Sequence, residues 1–210
     1  MSSLRFPGKV LAPVGGQPMI SRVVSCVTRS FDINSIIVAT SDEISDDPLA
    51  FYVESLGVKV FRGPLDNVFE RFQLCLDTNP CDWFFRISAD SPLLNSSILK
   101  MMVSYMSKSL DLITNVQKRT FPHGHSAELL NSRTFSRIDP KRLSDQDCEH
   151  VTKFYYSHAD EFQILNLENM DVDYAKLNFV VDTLDDLRRV EEMELKAQYD
   201  FMPQVKVTTE

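Results

Sequence analysis

The stretch Trp83-Phe84-Phe85-Arg86-Ile87-Ser88-Ala89-Asp90-Ser91-Pro92-Leu93-Leu94 decides how this chain is read. Its first five residues, four of them aromatic or aliphatic, predict a buried strand over 83–87, and the small and polar residues that follow end it. Asp90 is thereby delivered to the strand's C-terminal end. In open α/β sheets the strand C-termini border the ligand crevice, so a carboxylate there is placed to hold a cation against a phosphate. The same aspartate suits an Asx-turn or a cap for the next helix ahead of Pro92. Position alone leaves both readings open.

On either side of this stretch, short apolar runs alternate with helical spacing. Met19, Ile20, Val23, Val24 and Val27 predict a helix over 19–30, and the β-branched run at 36–40 predicts a strand. Asp46-Asp47-Pro48 starts a helix that Gly57 ends, a strand follows at 58–61, and Val68, Phe69, Phe72 and Leu76 share one face of a helix over 66–76. Downstream, the pattern predicts a helix over 95–106, strands at 111–114, 127–130, 162–167 and 177–181, and helices over 145–156 and 184–199. The last predicted strand runs into Asp182, so a second buried strand ends in an aspartate, which also suits an N-cap. Alternation of this kind predicts parallel βαβ units in one domain over 1–210, with an irregular section at 119–169.

Two loops carry chemistry. Residues 1–18 are rich in Gly, Pro and basic side chains, and Arg5 and Lys9, four apart around Pro7 and Gly8, suit a polyphosphate. An ordinary solvated tail has the same composition. The loop Arg119-Thr120-Phe121-Pro122-His123-Gly124-His125 brings two histidines to one side of an extended chain, but no third ligand lies near for zinc. It is expected to contact substrate or a partner, or to be a plain surface loop. His150 is expected as a helix-buried histidine with a satisfied hydrogen bond.

The 210 residues suffice for a self-supporting core. With 22 Lys and Arg against 30 Asp and Glu, the formal charge of −8 disfavours a nucleic-acid partner. Cys26, Cys75, Cys81 and Cys148 form no CxxC pair, so reduced thiols are expected rather than a disulfide framework or zinc knuckle. No apolar run reaches the roughly 18 residues of a membrane span, and a cytoplasmic location without a membrane partner is expected.

Taken in order, Arg5-Phe6-Pro7-Gly8-Lys9-Val10-Leu11 with Gly16-Gln17-Pro18-Met19, Ile37-Val38-Ala39-Thr40-Ser41-Asp42, Val58-Lys59-Val60-Phe61-Arg62-Gly63, Arg86 to Leu93, Glu149-His150-Val151-Thr152, and Val181-Asp182-Thr183 with Asp185-Asp186-Leu187 resemble the cytidylyltransferase family. The branch resembled is the spore coat polysaccharide type, related to the acylneuraminate and 3-deoxy-manno-octulosonate cytidylyltransferases. The resemblance implies a Rossmann-like three-layer nucleotide-diphospho-sugar transferase fold with a mostly parallel sheet. It implies transfer of CMP from CTP to a sugar, expected to be a sugar acid, with release of pyrophosphate for surface polysaccharide or glycan synthesis. Asp90 and Asp182 would hold Mg²⁺, with Asp90, Lys9 and Arg5 catalytic. Ser3, Arg5, Lys9, Arg86 and Asp90 would line the nucleotide, and Arg119, His123 and Glu128 the sugar. The section 119–169 is a candidate sugar-side region or homodimer arm. Alternatives are a glycosyltransferase or other-base nucleotidyltransferase of this fold, or a catalytically silent nucleotide-binding or assembly subunit.

One departure bears on the fold. The family introduces the basic loop with a first strand in the middle of the sheet, between the strands at 36–40 and 83–87, and here the chain begins inside the loop. The expectation is a sheet lacking that central strand, in an N-terminally incomplete chain whose activity as written is in doubt.

Overall fold

The computed structural model describes residue 1, residues 3–196 and residues 203–209. The N-terminal loop contains a 3-10 turn at Lys9–Leu11, entered through Gly8 at φ 72°, and a two-residue hairpin, β1 (Pro13–Val14) and β2 (Gln17–Pro18). Next come α1 (Met19–Thr28), β3 (Ile37–Ser41), α2 (Asp47–Ser55), β4 (Lys59–Gly63), α3 (Val68–Thr78), β5 (Trp83–Arg86) and α4 (Ser96–Ser104). The second half holds β6 (Leu112–Thr114), β7 (Glu128–Asn131), α5 (Ser132–Phe135), α6 (Asp145–Glu149), α7 (Lys153–Ser157), β8 (Ile164–Asn169), α8 (Leu184–Lys196) and β9 (Val205–Thr209). The expected helix over 184–199 is thus described to 196, and its last three residues lie outside the described residues.

The strands form a mixed arrangement. β3 pairs with β4 in parallel, and a five-stranded sheet runs in the order β5-β7-β6-β8-β9. Within it β6 and β8 are parallel, and every antiparallel pair involves β7 or β9. The parallel pairing that the rhythm predicts is present in β3–β4 and β6–β8, but the expected mostly parallel sheet is instead mixed, because β7 from the irregular section inserts antiparallel between β5 and β6 and β9 adds antiparallel to β8. Among the described residues, β3 is paired only through β4 and β5 only through β7.

Two helices bridge the strand groups from opposite faces. On one, Ile20 and Val24 of α1 pack with Val38 and Val60, while Cys26 and Val27 reach the cluster of Trp83, Phe85, Ile98 and Leu129. On the other, α3 lies against β3 and β4 and sets Phe72 5.9 Å from Phe84. Phe69, Leu112, Leu130, Phe135 and Ile164 complete that lower cluster. This gives three layers, with alternate residues of β5 facing each helical layer.

Three expected elements differ. Among the described residues the expected strand at 177–181 joins no sheet, and its one ladder contact is an isolated parallel bridge between Asn178 and His123. The helix over 145–156 is broken: a capping box of Ser144 and Asp147 starts α6, and the chain leaves helical geometry at His150, which is exposed rather than buried. Gly124 permits the loop before β7 to fold inward at φ 93°, because a Cβ there would lie 2.8 Å from Phe179. No helix among the described residues is long and apolar enough to cross a membrane, and among those residues Cys26, Cys75, Cys81 and Cys148 are not joined in disulfides.

Candidate active site

The N-terminal loop is fastened over the strand ends by a small apolar cluster. Val14, Met19, Val181 and Val190 are buried in it, with Phe6, Leu93 and Leu187 packed against them. Each of these comes from a segment that carries or supports a charged site residue. Phe6 lies between Arg5 and Lys9, Leu93 follows Asp90, and Val181 precedes Asp182. Burying these neighbours forces the polar side chains together at the surface of the crevice.

Lys9 is the centre of the group. Its ammonium lies 3.1 Å from Asp90 Oδ2 and 2.8 Å from Asp182 Oδ1, with only 14% of the side chain exposed. Arg5 Nη2 pairs with the other Asp182 oxygen at 3.0 Å and is mostly exposed. Asp90 is oriented by its own turn: Ser88 Oγ donates to Oδ1 at 2.7 Å and Ser91 Oγ at 3.2 Å, leaving Oδ2 toward Lys9. The Val181 N–H donates to the Asp90 carbonyl at 3.0 Å, so the two aspartate-bearing segments are tied through their backbones. Four residues expected at the site, Arg5, Lys9, Asp90 and Asp182, are therefore in contact. Ser3 sits on the same loop, where its hydroxyl accepts from the Phe6 N–H at 3.4 Å.

The remaining expected residues lie in two other groups. Arg86 and Glu128 face each other across β5 and β7, with Nη1 3.3 Å from Oε2. Glu128 is 2% exposed, and its Oε1 accepts from Thr152 Oγ1 and Tyr156 OH, each at 2.6 Å. Its carboxylate is consumed inside the protein, which makes it a support for Arg86 and α7 rather than a sugar contact. Desolvation, then the adjacent Glu128 charge, raises the pKa of the half-buried Tyr156 hydroxyl well above its ordinary range. Thr152, the last residue of the Glu149–Thr152 motif, is the one that joins this network.

Arg119 Nη1 donates to Ser126 at 3.1 Å, and burial followed by the Arg119 charge lowers the pKa of His123. The His123 carbonyl accepts from the Phe179 N–H at 2.7 Å, beside the segment that leads to Asp182. His125 is wholly buried, its ring nitrogens 2.7 Å from the Leu93 carbonyl and 2.6 Å from Tyr174 OH. With both nitrogens engaged it is an internal brace, not a metal ligand or a surface contact. Ser88, Ser91 and Asp186, which hold the two aspartates, were missed by the sequence reading; serines flanking a strand-end aspartate were the available signal.

The pattern that defines the cytidylyltransferase family matches residues 1–206. The spore coat polysaccharide biosynthesis protein SpsF of Bacillus subtilis (strain 168) is 28% identical over 206 residues, covering 94% of this chain and 84% of that protein. The 8-amino-3,8-dideoxy-manno-octulosonate cytidylyltransferase of Shewanella frigidimarina (strain NCIMB 400) is 32% identical over 112 residues, half of this chain and 44% of that one. Among solved structures, a cytidylyltransferase from Leptospira borgpetersenii serovar Hardjo-bovis (strain JB197) superposes with a TM-score of 0.88 at 25% identity, covering 96% of this chain and 86% of that chain.

Proposed function

We propose that this chain, which belongs to the cytidylyltransferase family, transfers CMP from CTP to a hydroxyl of a sugar acid and releases pyrophosphate, for surface polysaccharide synthesis. The observation that carries the reading is the convergence of Asp90 and Asp182 on the Lys9 ammonium, with Arg5 on the outer oxygen of Asp182. The sugar-acid acceptor is taken from the octulosonate named for the Shewanella relative, and the polysaccharide context from SpsF.

In the reaction the acceptor oxygen attacks the α-phosphorus of CTP and the bond to the bridging β-oxygen breaks. Pyrophosphate leaves with that electron pair, and the hydroxyl proton passes to solvent. Such transfers are governed by charge placement more than by covalent chemistry. Lys9 and Arg5 hold phosphate oxygens and offset the charge gathering on the departing pyrophosphate. By formal charge, however, their two positive charges are cancelled by Asp90 and Asp182, so a triphosphate meets a neutral cluster. With a divalent cation held by Asp90 and Asp182, Lys9 and Arg5 would be free to pair with the nucleotide's phosphates.

The donor set fits Mg²⁺: hard carboxylate oxygens from two segments aim at one position, which an ammonium fills here. Asp90 and Asp182 would hold it. Among the described residues no group of three or more His, Cys, Asp or Glu side chains could hold a metal ion, so the protein would supply two carboxylates and leave the remaining ligands to substrate and water. When bound, Mg²⁺ supplies positive charge to the triphosphate oxygens. Asp90→Ala is expected to abolish pyrophosphate release while circular dichroism remains native. Unchanged turnover removes Asp90 from the mechanism.

A further inference from the structure

Asp182 sits at the end of an extended segment that no neighbouring strand holds among the described residues, yet most of the segment's backbone groups are engaged. The Phe179 N–H donates to the His123 carbonyl and the Val181 N–H to the Asp90 carbonyl. The Val180 N–H donates to Asn178 Oδ1 at 3.0 Å. The other bonds come from two side chains in the first turns of α8. Asp186 Oδ2 accepts from the Asp182 N–H at 3.1 Å, the Thr183 N–H at 2.9 Å and the Thr183 hydroxyl at 2.8 Å. Arg189 donates through Nε to the Asn178 carbonyl at 3.3 Å and through Nη2 to the Val180 carbonyl at 2.9 Å. Its Nη1 then pairs with Asp186 Oδ1, joining the two halves.

We propose that Asp186 and Arg189 are positioning residues for the Asp182 carboxylate, forming a side-chain clamp that does for residues 178–183 what a paired strand does elsewhere. The proposal rests on the reading of Asp182 as part of the nucleotide site. A helix cap alone needs the Thr183 and Asp186 exchange, in which the Asp186 N–H also donates to Thr183 Oγ1 at 3.2 Å. It has no use for bonds to carbonyls three and five residues before the cap, and Arg189 makes those. The need is specific to Asp182. Asp90 is oriented by two hydroxyls on its own turn, whereas the Asp182 carboxylate touches only Lys9 and Arg5 among the described residues. Its direction is therefore set by its backbone, and its backbone by the clamp. The Asp186 carboxyl is kept ionised throughout the working range: burial opposes ionisation, but the Arg189, Thr183 and Asp182 hydrogen bonds outweigh it and hold the pKa at about 2.

The test is calorimetric binding of CTP in Mg²⁺ and in EDTA, on the full chain below its melting temperature. Asp182→Asn gives the reference loss of Mg²⁺-supported affinity. Asp186→Ala and Arg189→Met are each expected to weaken CTP binding in Mg²⁺ about tenfold, as supports of metal ligands do, with binding in EDTA unchanged. Either change placed on Asp182→Asn is expected to add nothing further. Asp186→Asn, which keeps one acceptor oxygen for the two N–H groups, is expected to fall between, and it serves with Arg189→Lys if the larger changes fail to fold. Clamp variants that melt earlier but bind CTP as the parent does, or losses that add in full to Asp182→Asn, overturn the clamp and leave the site reading intact. An Asp182→Asn protein that binds CTP normally in Mg²⁺ overturns both.

Discussion

Mild acid is expected to destabilise this protein through one side chain, His125. The ring is wholly buried, stacked on Phe179 with centroids 4.6 Å apart, and hydrogen-bonded to the Leu93 carbonyl and the Tyr174 hydroxyl. A carbonyl only accepts, so Nε2 carries the proton and Nδ1 accepts from the tyrosine. Burial pushes the pKa from 6.5 down to about 4, with the Leu93 carbonyl opposing. The folded value lies below the unfolded one, so the unfolded chain takes up its proton first as pH falls. Stability from this group is full above pH 6.5 and is lost progressively as pH falls toward 4. At about 1.4 kcal/mol per pKa unit, the gap is worth about 3 kcal/mol, a large fraction of a typical domain's stability. The assay is urea unfolding at intervals from pH 7.5 to 4.5 for the parent and His125→Gln. The parent is expected to lose about 2 to 3 kcal/mol more than the variant across that range, which stops short of the folded pKa. Parallel pH dependences would show that His125 does not titrate in this window, refuting the burial argument. Because Leu93 follows Asp90 by three residues, the same titration is expected to loosen the turn that presents Asp90.

Other consequences concern single side chains. Lys9→Ala removes a charge-assisted contact worth about 1.5–3 kcal/mol, so CTP affinity measured by calorimetry is expected to fall at least about tenfold while acceptor binding changes little. Unaltered CTP affinity would return residues 1–18 to a solvated tail. Glu128→Ala leaves the Arg86 guanidinium and the Thr152 and Tyr156 hydroxyls without their acceptor, and is expected to cost about 3 kcal/mol in urea unfolding. Native stability with lost acceptor binding would instead make Glu128 a sugar contact. The buried Tyr155 hydroxyl has no hydrogen-bond partner among the described residues, so Tyr155→Phe is expected to leave stability unchanged or raise it by about 1 kcal/mol. A clear loss on thermal melting would contradict that.

Much of the site was legible because its carboxylates sit at the ends of apolar runs. Trp83 to Ile87 and Leu177 to Val181 each deliver an aspartate, and the basic pair at Arg5 and Lys9 stands on a loop too rich in Gly and Pro for regular structure. What failed depended on partners remote in sequence. Residues 177–181 have a strand's composition, but Arg189 and the carbonyls of His123 and Asp90 take bonds that a strand partner would take. His125 looked like loop chemistry because Gly124 and Pro122 surround it, and only the inward turn against Phe179 reveals a buried brace. Glu128 carried the right charge for a sugar contact, but three residues from other elements consume it. β9 has the β-branched run Val205 to Thr209 and was overlooked beside a long acidic helix.

The proposed CTP-dependent transfer depends on the Asp90, Asp182 and Lys9 cluster. The most direct measurement is pyrophosphate release with Mg²⁺, each of the four common ribonucleoside triphosphates, and a panel of sugar acids that includes 3-deoxy-manno-octulosonate. Release is expected with CTP alone, dependent on a sugar acid and absent in Asp90→Ala. Release driven by another nucleotide, or CTP bound tightly with no turnover across the panel, would contradict it.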